Sequence, residues 1–524
     1  MPPPADRRTR LFYTGVLAVL LLAGVWRLVL AGAMPAVSRD GVTFCWYARD
    51  LGTQGSAYLR GPDARQHPLF PVLILAAQRT ARALGAADTP LTWQRSGQLV
   101  SGLAGLAAVG LVGALTARLV RRLALPLDRR LAAVLAMLLA ALLDLNVWLS
   151  CDVLSDGPHL VFYLAAGLLL VQLESWRAAA ACGLLSGLAF LTRPEGAVPL
   201  LAGLVALVAA RPQMPPRRLL ARAGLLLLGF LVCAVPYWTV VGRFSAKKDV
   251  LEMLPTERAV ATVADEAQGP SYALGKLELR DVRWYALLPV VLYELMHAGR
   301  VVVPLLALPP LLDLRRRLLA YPLAGLSACA TGHLALTLVL LGRFDYLSTR
   351  HLLVPVMLLT PLAAMLLARV TTLLWQVGWR RVAVLVVAVS VVPSALYALR
   401  IPNGQDGYLT DAAAWLTGHD PDIRACRLLS GSSPRRIAFY ADMRWEFWAE
   451  QPEYYAALTR LITRGGRGYF ALEVGPGFER AGNRELLDKL LHDPAVAAYV
   501  GLDFVRPGPD ARTELHLVEL RATE

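Results

Sequence analysis

A chain of 524 residues with 56% apolar side chains and a mean hydropathy of +0.49 carries too much apolar surface to be built only of water-soluble domains. Its formal net charge of +14 would suggest nucleic acid in a soluble protein, but the arginines stand in short clusters between apolar runs rather than on one face, which points to membrane topology and to no nucleic-acid partner. Six cysteines with no zinc-type spacing exclude a disulfide framework and a cysteine-based zinc site; Cys45 and Cys151 both fall near the predicted outer surface, where a disulfide is chemically permitted.

In chain order, Arg7, Arg8 and Arg10 precede an apolar stretch over 11–33. It matches the roughly 20 residues of a bilayer span and is too long for the core of a signal peptide, so an uncleaved first helix is predicted. A long outer segment, 34–94, follows. Phe44, Tyr47 and Leu51 keep helical spacing in it, and Gln78, Arg79 and Arg82 interrupt a second apolar run. Two helices lying on the outer membrane surface are therefore predicted, 41–52 and 68–84. Further spans are predicted over 95–117, 131–149, 158–173, 219–241, 287–312, 318–341, 352–368 and 382–399. Another apolar stretch, 178–210, is interrupted by Arg193-Pro194-Glu195-Gly196. Its short halves form a hairpin or a re-entrant loop, and either returns the chain to its starting side.

Arginine placement orients the whole. With the broken stretch read as a hairpin, Arg7/Arg8/Arg10, Arg118/Arg121/Arg122/Arg129/Arg130, Arg177, Arg211/Arg217/Arg218/Arg222, Arg315/Arg316/Arg317 and Arg369/Arg380/Arg381 share one side, the cytoplasm. The segment 243–286 mixes both charge signs, as a translocated loop does. About eleven crossings then put the N-terminus in the cytoplasm and the tail outside, in a protein integral to the cell (plasma or inner) membrane. The tail changes character at Ile401-Pro402-Asn403-Gly404. Runs at 427–429, 437–440, 468–472 and 515–520 predict strands, and 453–463 and 484–491 predict amphipathic helices. The fold class is thus a polytopic α-helical membrane protein, with a transmembrane domain over 1–400 and a small extracytoplasmic α/β domain over 401–524.

The residues able to carry chemistry cluster at the predicted outer face. Asp40 stands just beyond the first span, where it can act as a general base toward an acceptor hydroxyl, hold a divalent cation, or simply cap a helix. Asp152 and Asp156 stand at the junction of the third and fourth spans, as support for an acceptor or metal or as helix caps. Arg193 and Glu195 break the hairpin; Arg193 can bind a lipid phosphate or snorkel to headgroups. Arg350 and His351, preceded by Arg343, Asp345 and Tyr346, open a crossing from outside, and a guanidinium there suits a phosphodiester. His67, with Pro68, opens the second surface helix as a structural residue or as a contact to acceptor or phosphate.

These pieces, in order, resemble the GT-C class of membrane glycosyltransferases, of the dolichyl-phosphate-mannose protein mannosyltransferase and lipid A aminoarabinose transferase type. The residues concerned are Asp40 with Tyr47-Ala48, His67-Pro68-Leu69, Ser155-Asp156, Leu191-Thr192-Arg193-Pro194-Glu195-Gly196, and Ser348-Thr349-Arg350-His351-Leu352-Leu353-Val354-Pro355. The chain departs from many relatives in having Gly41 in place of a second acid and no second proline after Pro68. The resemblance implies inverting transfer of a sugar from a polyprenyl-phosphate donor to a protein, lipid or glycan acceptor, with Asp40 as the catalytic residue and Arg350 at the donor phosphate. Membrane lipids are further partners, and the absence of a glycine-rich phosphate loop agrees with a donor other than a nucleotide sugar. Acidic and guanidinium groups from distant stretches are expected to converge at the outer rim.

Two other classes fit parts of the pattern. A polytopic transporter or lipid flippase needs ionisable groups within spans near broken helices, for which Glu294, His297 and His333 are candidates. A non-catalytic anchor would use its outer tail to bind a partner.

Overall fold

The computed structural model describes residues 7–61, 64–245, 287–344, 347–401, 404–430, 435–447, 468–475, 483–492, 499–508 and 512–521. Most of the segment 243–286, Asp345, Tyr346 and the helix expected over 453–463 lie outside them. Two compact units emerge. One comprises Met1–Ala31, Tyr47–Leu75 and Gln98–Arg400; the other comprises Gly32–Trp46, Ala76–Gly97 and Ile401–Glu524.

In the first unit helix follows helix. The elements that lie in it wholly or in part are α1 (Arg7–Ala33), α2 (Arg39–Gln54), α3 (Leu69–Ala83), α4 (Pro90–Arg122), α5 (Arg129–Leu142), α6 (Asp144–Cys151), α7 (Asp156–Leu170), α8 (Trp176–Thr192), α9 (Val198–Ala209), α10 (Pro216–Val241), α11 (Leu287–Ala298), α12 (Val302–Leu314), α13 (Ala324–Phe344), α14 (Leu353–Gln376) and α15 (Arg380–Ala398). Both expected surface helices are present as helices, α2 and α3. Among the described residues six helices are long and apolar enough to cross a membrane, or up to eight if each of two bent pairs is one span. Helices α7, α8 and α9 are apolar but shorter; at about 1.5 Å per residue none reaches the roughly 30 Å of a hydrocarbon core by itself. Large apolar side chains stay exposed along α1 (Leu17, Leu21, Leu28), α10 (Leu228, Val232) and α15 (Val384, Leu385, Val389). So much uncovered apolar surface would be costly in water and costs nothing against lipid tails.

Local chemistry explains the element ends. Asp128 caps α5, its carboxylate accepting from the Arg130 and Leu131 backbone amides. Gly242, at φ +70, closes α10 in the left-handed conformation that glycine adopts without steric cost. Where α8 meets α10 the backbones almost touch: a Cβ at Gly183 would lie 2.0 Å from the Leu226 carbonyl oxygen, and one at Gly229 would lie 2.4 Å from that of Ala180. Small residues spaced four apart, Gly183 and Gly187, make that approach possible. Gly183→Val is therefore expected to push the helices apart and to cost about 1–3 kcal/mol. Thermal denaturation in detergent should show a lowered midpoint, and an unchanged midpoint would contradict this account of the crossing.

Two runs expected as single spans are broken. The run over 131–149 bends by 57° between α5 and α6, and that over 287–312 bends by 113° between α11 and α12. The second break contains Arg300 and Val301 at positive φ, a conformation that β-branched Val301 adopts only under constraint. A buried ion pair joins the breaks. Both Asp144 carboxylate oxygens accept from Arg300 Nε at 3.0 Å, Oδ2 also from Nη2 at 2.5 Å, and the guanidinium lies 3.8 Å from the Tyr397 ring centroid. No disulfide joins Cys45 and Cys151, both of which are buried.

The second unit is built on a mixed five-stranded sheet. Its strands are β1 (Arg427–Ser430), β2 (Arg444–Phe447), β3 (Gly468–Val474), β4 (Val500–Pro507) and β5 (Glu514–Leu520), in the order β2-β1-β3-β5-β4. β1 runs parallel to β2 and β3, whereas β5 runs antiparallel to β3 and β4. Helices α16 (Gly407–His419) and α17 (Arg435–Tyr440) share one core with the sheet, and α18 (Asn483–His492) shares another. The run expected as a strand over 437–440 is α17: four apolar residues fit either element, and here Ile437 and Ala438 are buried in the core shared with α16. The 32–46 and 76–97 stretches are tied in through Tyr440, whose hydroxyl accepts from Val37 N (2.9 Å) and donates to Gln94 Oε1 (2.8 Å). Trp46 also stacks on Trp445, with ring centroids 5.9 Å apart.

His516 on β5 supplies a pH-sensitive contact. Its Nδ1 lies 3.0 Å from Asp503 Oδ2 and its Nε2 3.5 Å from Glu514 Oε2. Burial lowers its pKa, but the bonds and charges of the two carboxylates outweigh that and raise it above 6.5. A raised folded pKa means the contribution is complete below the unfolded value and is lost as pH rises through the folded one. The full chain is thus expected to lose some thermal stability as pH rises above neutral, and His516→Gln to flatten that loss. An identical profile in the variant would contradict the assignment.

Candidate active site

The site is assembled at an interruption of an apolar run. α8 ends at Thr192, and Arg193, held extended (φ −155, ψ 143) because Pro194 follows it, turns the chain into a short 3-10 segment, Pro194–Ala197. Gly196 fits the turn because it has no Cβ; one placed there would lie 2.1 Å from Ala189 C and Phe190 N. This tight turn projects two opposite charges within three residues. Arg193 Nη1 donates to Asp156 Oδ1 at 2.6 Å and Nη2 to Glu195 Oε1 at 3.4 Å, with Arg193 and Asp156 almost wholly buried.

Three further elements complete a small pocket. α7 brings Asp156 and, one turn on, His159. α13 brings His333, Leu336, Thr337 and Leu340, spaced along one helical face. A 3-10 turn, Thr349–Leu352, leads into α14 and brings Arg350, His351, Leu353 and Val354. Ser348 fixes that turn through a capping box in which its backbone amide donates to His351 Nδ1 at 3.3 Å. The pocket has a cavity of about 20 Å³, enough for one small polar group, between a charged side and an apolar side. Arg193 and Arg350 are near enough for their like charges to repel, while Asp156 and Glu195 act on Arg193 more strongly and in the opposite sense. The arrangement sets two guanidiniums, two carboxylates and three imidazoles beside apolar side chains.

Of the residues singled out in the sequence, Asp156, Arg193, Glu195, Arg350 and His351 come together here. Asp152 does not line the pocket; it is buried at the end of α6, its carboxylate accepting from the Val153 amide at 2.7 Å. His67 is buried elsewhere in the same unit, 2.8 Å from Ser245 Oγ and against the rings of Phe190 and Tyr237. Asp40 belongs to the second unit and sits in the first turn of α2, where Ser38, not Asp40, caps the helix by accepting from Gly41 N at 3.2 Å. Among the described residues no three His, Cys, Asp or Glu side chains are grouped to hold a metal ion.

Sequence reasoning missed His159, and it weighed His333 only as a mark of a transporter. The available signal was the spacing: Asp156 and His159 fall three apart on one helix, and a histidine inside an apolar run needs polar company.

No protein-family model matches the chain, and no curated protein matches it. Solved structures do. The crystal structure of ArnT from Cupriavidus metallidurans bound to undecaprenyl phosphate aligns over 96% of this chain and 97% of that one, with a TM-score of 0.61 at 15% identity. AglB, the archaeal oligosaccharyltransferase from Archaeoglobus fulgidus in complex with an inhibitory peptide and a dolichol-phosphate, aligns over 94% of this chain and 73% of that one, with a TM-score of 0.54 at 12% identity. At such identities the likeness is one of fold, and the chain has the fold of the GT-C membrane glycosyltransferases that its motifs resemble.

Proposed function

We propose that this protein is a glycosyltransferase that moves a sugar from a polyprenyl-phosphate donor to a protein, lipid or glycan acceptor at the outer face of the membrane. One observation carries the reading: two guanidiniums, Arg193 and Arg350, and an apolar wall meet in one pocket of a fold shared with a protein solved bound to undecaprenyl phosphate. A polyprenyl chain stays in lipid while its phosphate seeks fixed positive charge, and the pocket offers both surroundings side by side. Asp40 is the general base. It takes the proton of the acceptor hydroxyl, whose oxygen attacks the anomeric carbon from the face opposite the phosphate; the carbon–phosphate oxygen bond breaks, and its electrons leave with the lipid phosphate. Configuration inverts, and the charge that develops on the leaving phosphate is stabilised by arginines already in place. The N-terminus is cytoplasmic in this reading, and residues 401–524 form an extracytoplasmic domain.

The flippase reading keeps one specific support. Asp144 and Arg300 are an ionisable pair at two helix breaks, the pattern that transporters use. Both partners are engaged with each other, however, and the pair is economically explained as the clasp holding the breaks. Reconstituted protein supplied with radiolabelled polyprenyl-phosphate hexoses and an envelope extract separates the readings. Label passing from the carrier to an acceptor supports transfer; label that stays on the carrier while the carrier changes leaflet overturns it.

A further inference from the structure

Two buried imidazoles in the pocket have hydrogen-bonding needs that a bare lipid phosphate meets at most in part. His159 and His333 are 3% and 6% exposed. His159 Nδ1 lies 3.3 Å from the Ala189 carbonyl oxygen and 3.4 Å from Thr192 Oγ1, whose own hydrogen goes to Ala189 O at 2.6 Å. A carbonyl only accepts, so the hydrogen of the neutral ring sits on Nδ1 and the lone pair on Nε2. The same logic inverts the ring of His333: Nε2 lies 2.9 Å from the His351 carbonyl oxygen, which leaves the lone pair on Nδ1. These two lone-pair nitrogens, His159 Nε2 and His333 Nδ1, are buried and have no hydrogen-bond partner among the described residues. Both residues line the pocket with Arg193 and Arg350.

Guanidiniums offer only donors, and an ionised phosphodiester offers only acceptors. The bare carrier is a phosphate monoester with at most one O–H of its own at neutral pH, so it satisfies the arginines and leaves at least one of the two imidazole lone pairs unmet. A group with O–H or N–H bonds attached to that phosphate satisfies all four residues together. We infer that His159 and His333 read the sugar of the donor by accepting hydrogen bonds from its hydroxyl or amino groups, beside the phosphate held by the arginines. The inference rests on the transferase reading above and adds to it the residues that tell a sugar-loaded carrier from a spent one. An occupied carrier is thereby retained, and the bare carrier phosphate left after transfer is released more readily.

The test uses full-length protein in nanodiscs, titrated with undecaprenyl phosphate and with its glucose, galactose and mannose forms. Wild type is expected to bind at least one sugar-bearing form about tenfold tighter than the bare phosphate, the scale set by a satisfied buried hydrogen bond. His159→Leu and His333→Leu should each erase that preference while keeping the affinity for undecaprenyl phosphate, which also reports that the pocket is folded. His159→Gln and His333→Gln, which keep an acceptor oxygen, should recover part of it and decide the matter where a Leu variant melts early. Equal weakening toward both lipids at an unchanged melting temperature would overturn the inference, and so would an unchanged preference. Binding of all forms equally by wild type overturns it while leaving the lipid-phosphate reading standing; binding of none removes both.

Discussion

Replacing Asp40 by asparagine is expected to slow sugar transfer by about a hundred- to ten-thousand-fold, the range that loss of a positioned general base produces. Asparagine matches the size of aspartate and cannot take a proton, so the deficit should appear in kcat while the donor KM stays near its wild-type value. The fold should survive. Ser38 already provides the cap of α2, and the favourable charge lost from the first turn is worth about 0.3–1 kcal/mol. Full activity in this variant, at an unchanged melting temperature, would remove Asp40 from the mechanism.

Arg193→Ala is expected to have the largest effect on the protein as a whole, because one side chain serves both structure and binding. Its guanidinium donates to Asp156 at 2.6 Å and to Glu195 at 3.4 Å. Removing it leaves buried carboxylates without that cation, a change that costs about 3–5 kcal/mol. The same change removes one of the two positive groups offered to the donor phosphate. The two roles can be separated. Arg193→Ala combined with Asp156→Asn relieves the stranded charge and should recover much of the melting temperature without recovering affinity for undecaprenyl phosphate. If affinity returns together with stability, Arg193 is a structural ion pair and not a phosphate ligand.

What the sequence made legible follows from how each feature departs from its surroundings. Arg193, Glu195 and Arg350 interrupt apolar runs, and a charge placed at a break in greasy sequence is costly enough to need a partner, so their grouping could be anticipated. His159 lies one turn inside an apolar helix with no local signal beyond its spacing from Asp156, and its role depends on Ala189 and His333, which are remote in sequence. The breaks at 143 and at 299–301 look like continuous spans in the sequence for a related reason. Around Leu143 no proline or glycine marks the bend, and what holds both breaks is a pairing of Asp144 with Arg300 that hydropathy does not see. In the second unit the longer buried strands β3 and β5 stood out as apolar runs. The edge strands β2 and β4 did not, since Arg444 and Glu446 in one, and Asp503 and Arg506 in the other, hide their alternation. The pairing of α17 with α16 likewise decided between helix and strand for a run too short to decide by itself.

The pocket lined by Arg193 and Arg350 is the centre of the account, and a structure of the protein in nanodiscs with undecaprenyl phosphate tests it most directly. The phosphate is expected within hydrogen-bond distance of both guanidiniums, with the isoprenoid running along Leu336, Leu340 and Val354. A phosphate bound away from these two arginines, with the pocket unchanged from the free protein, would contradict it.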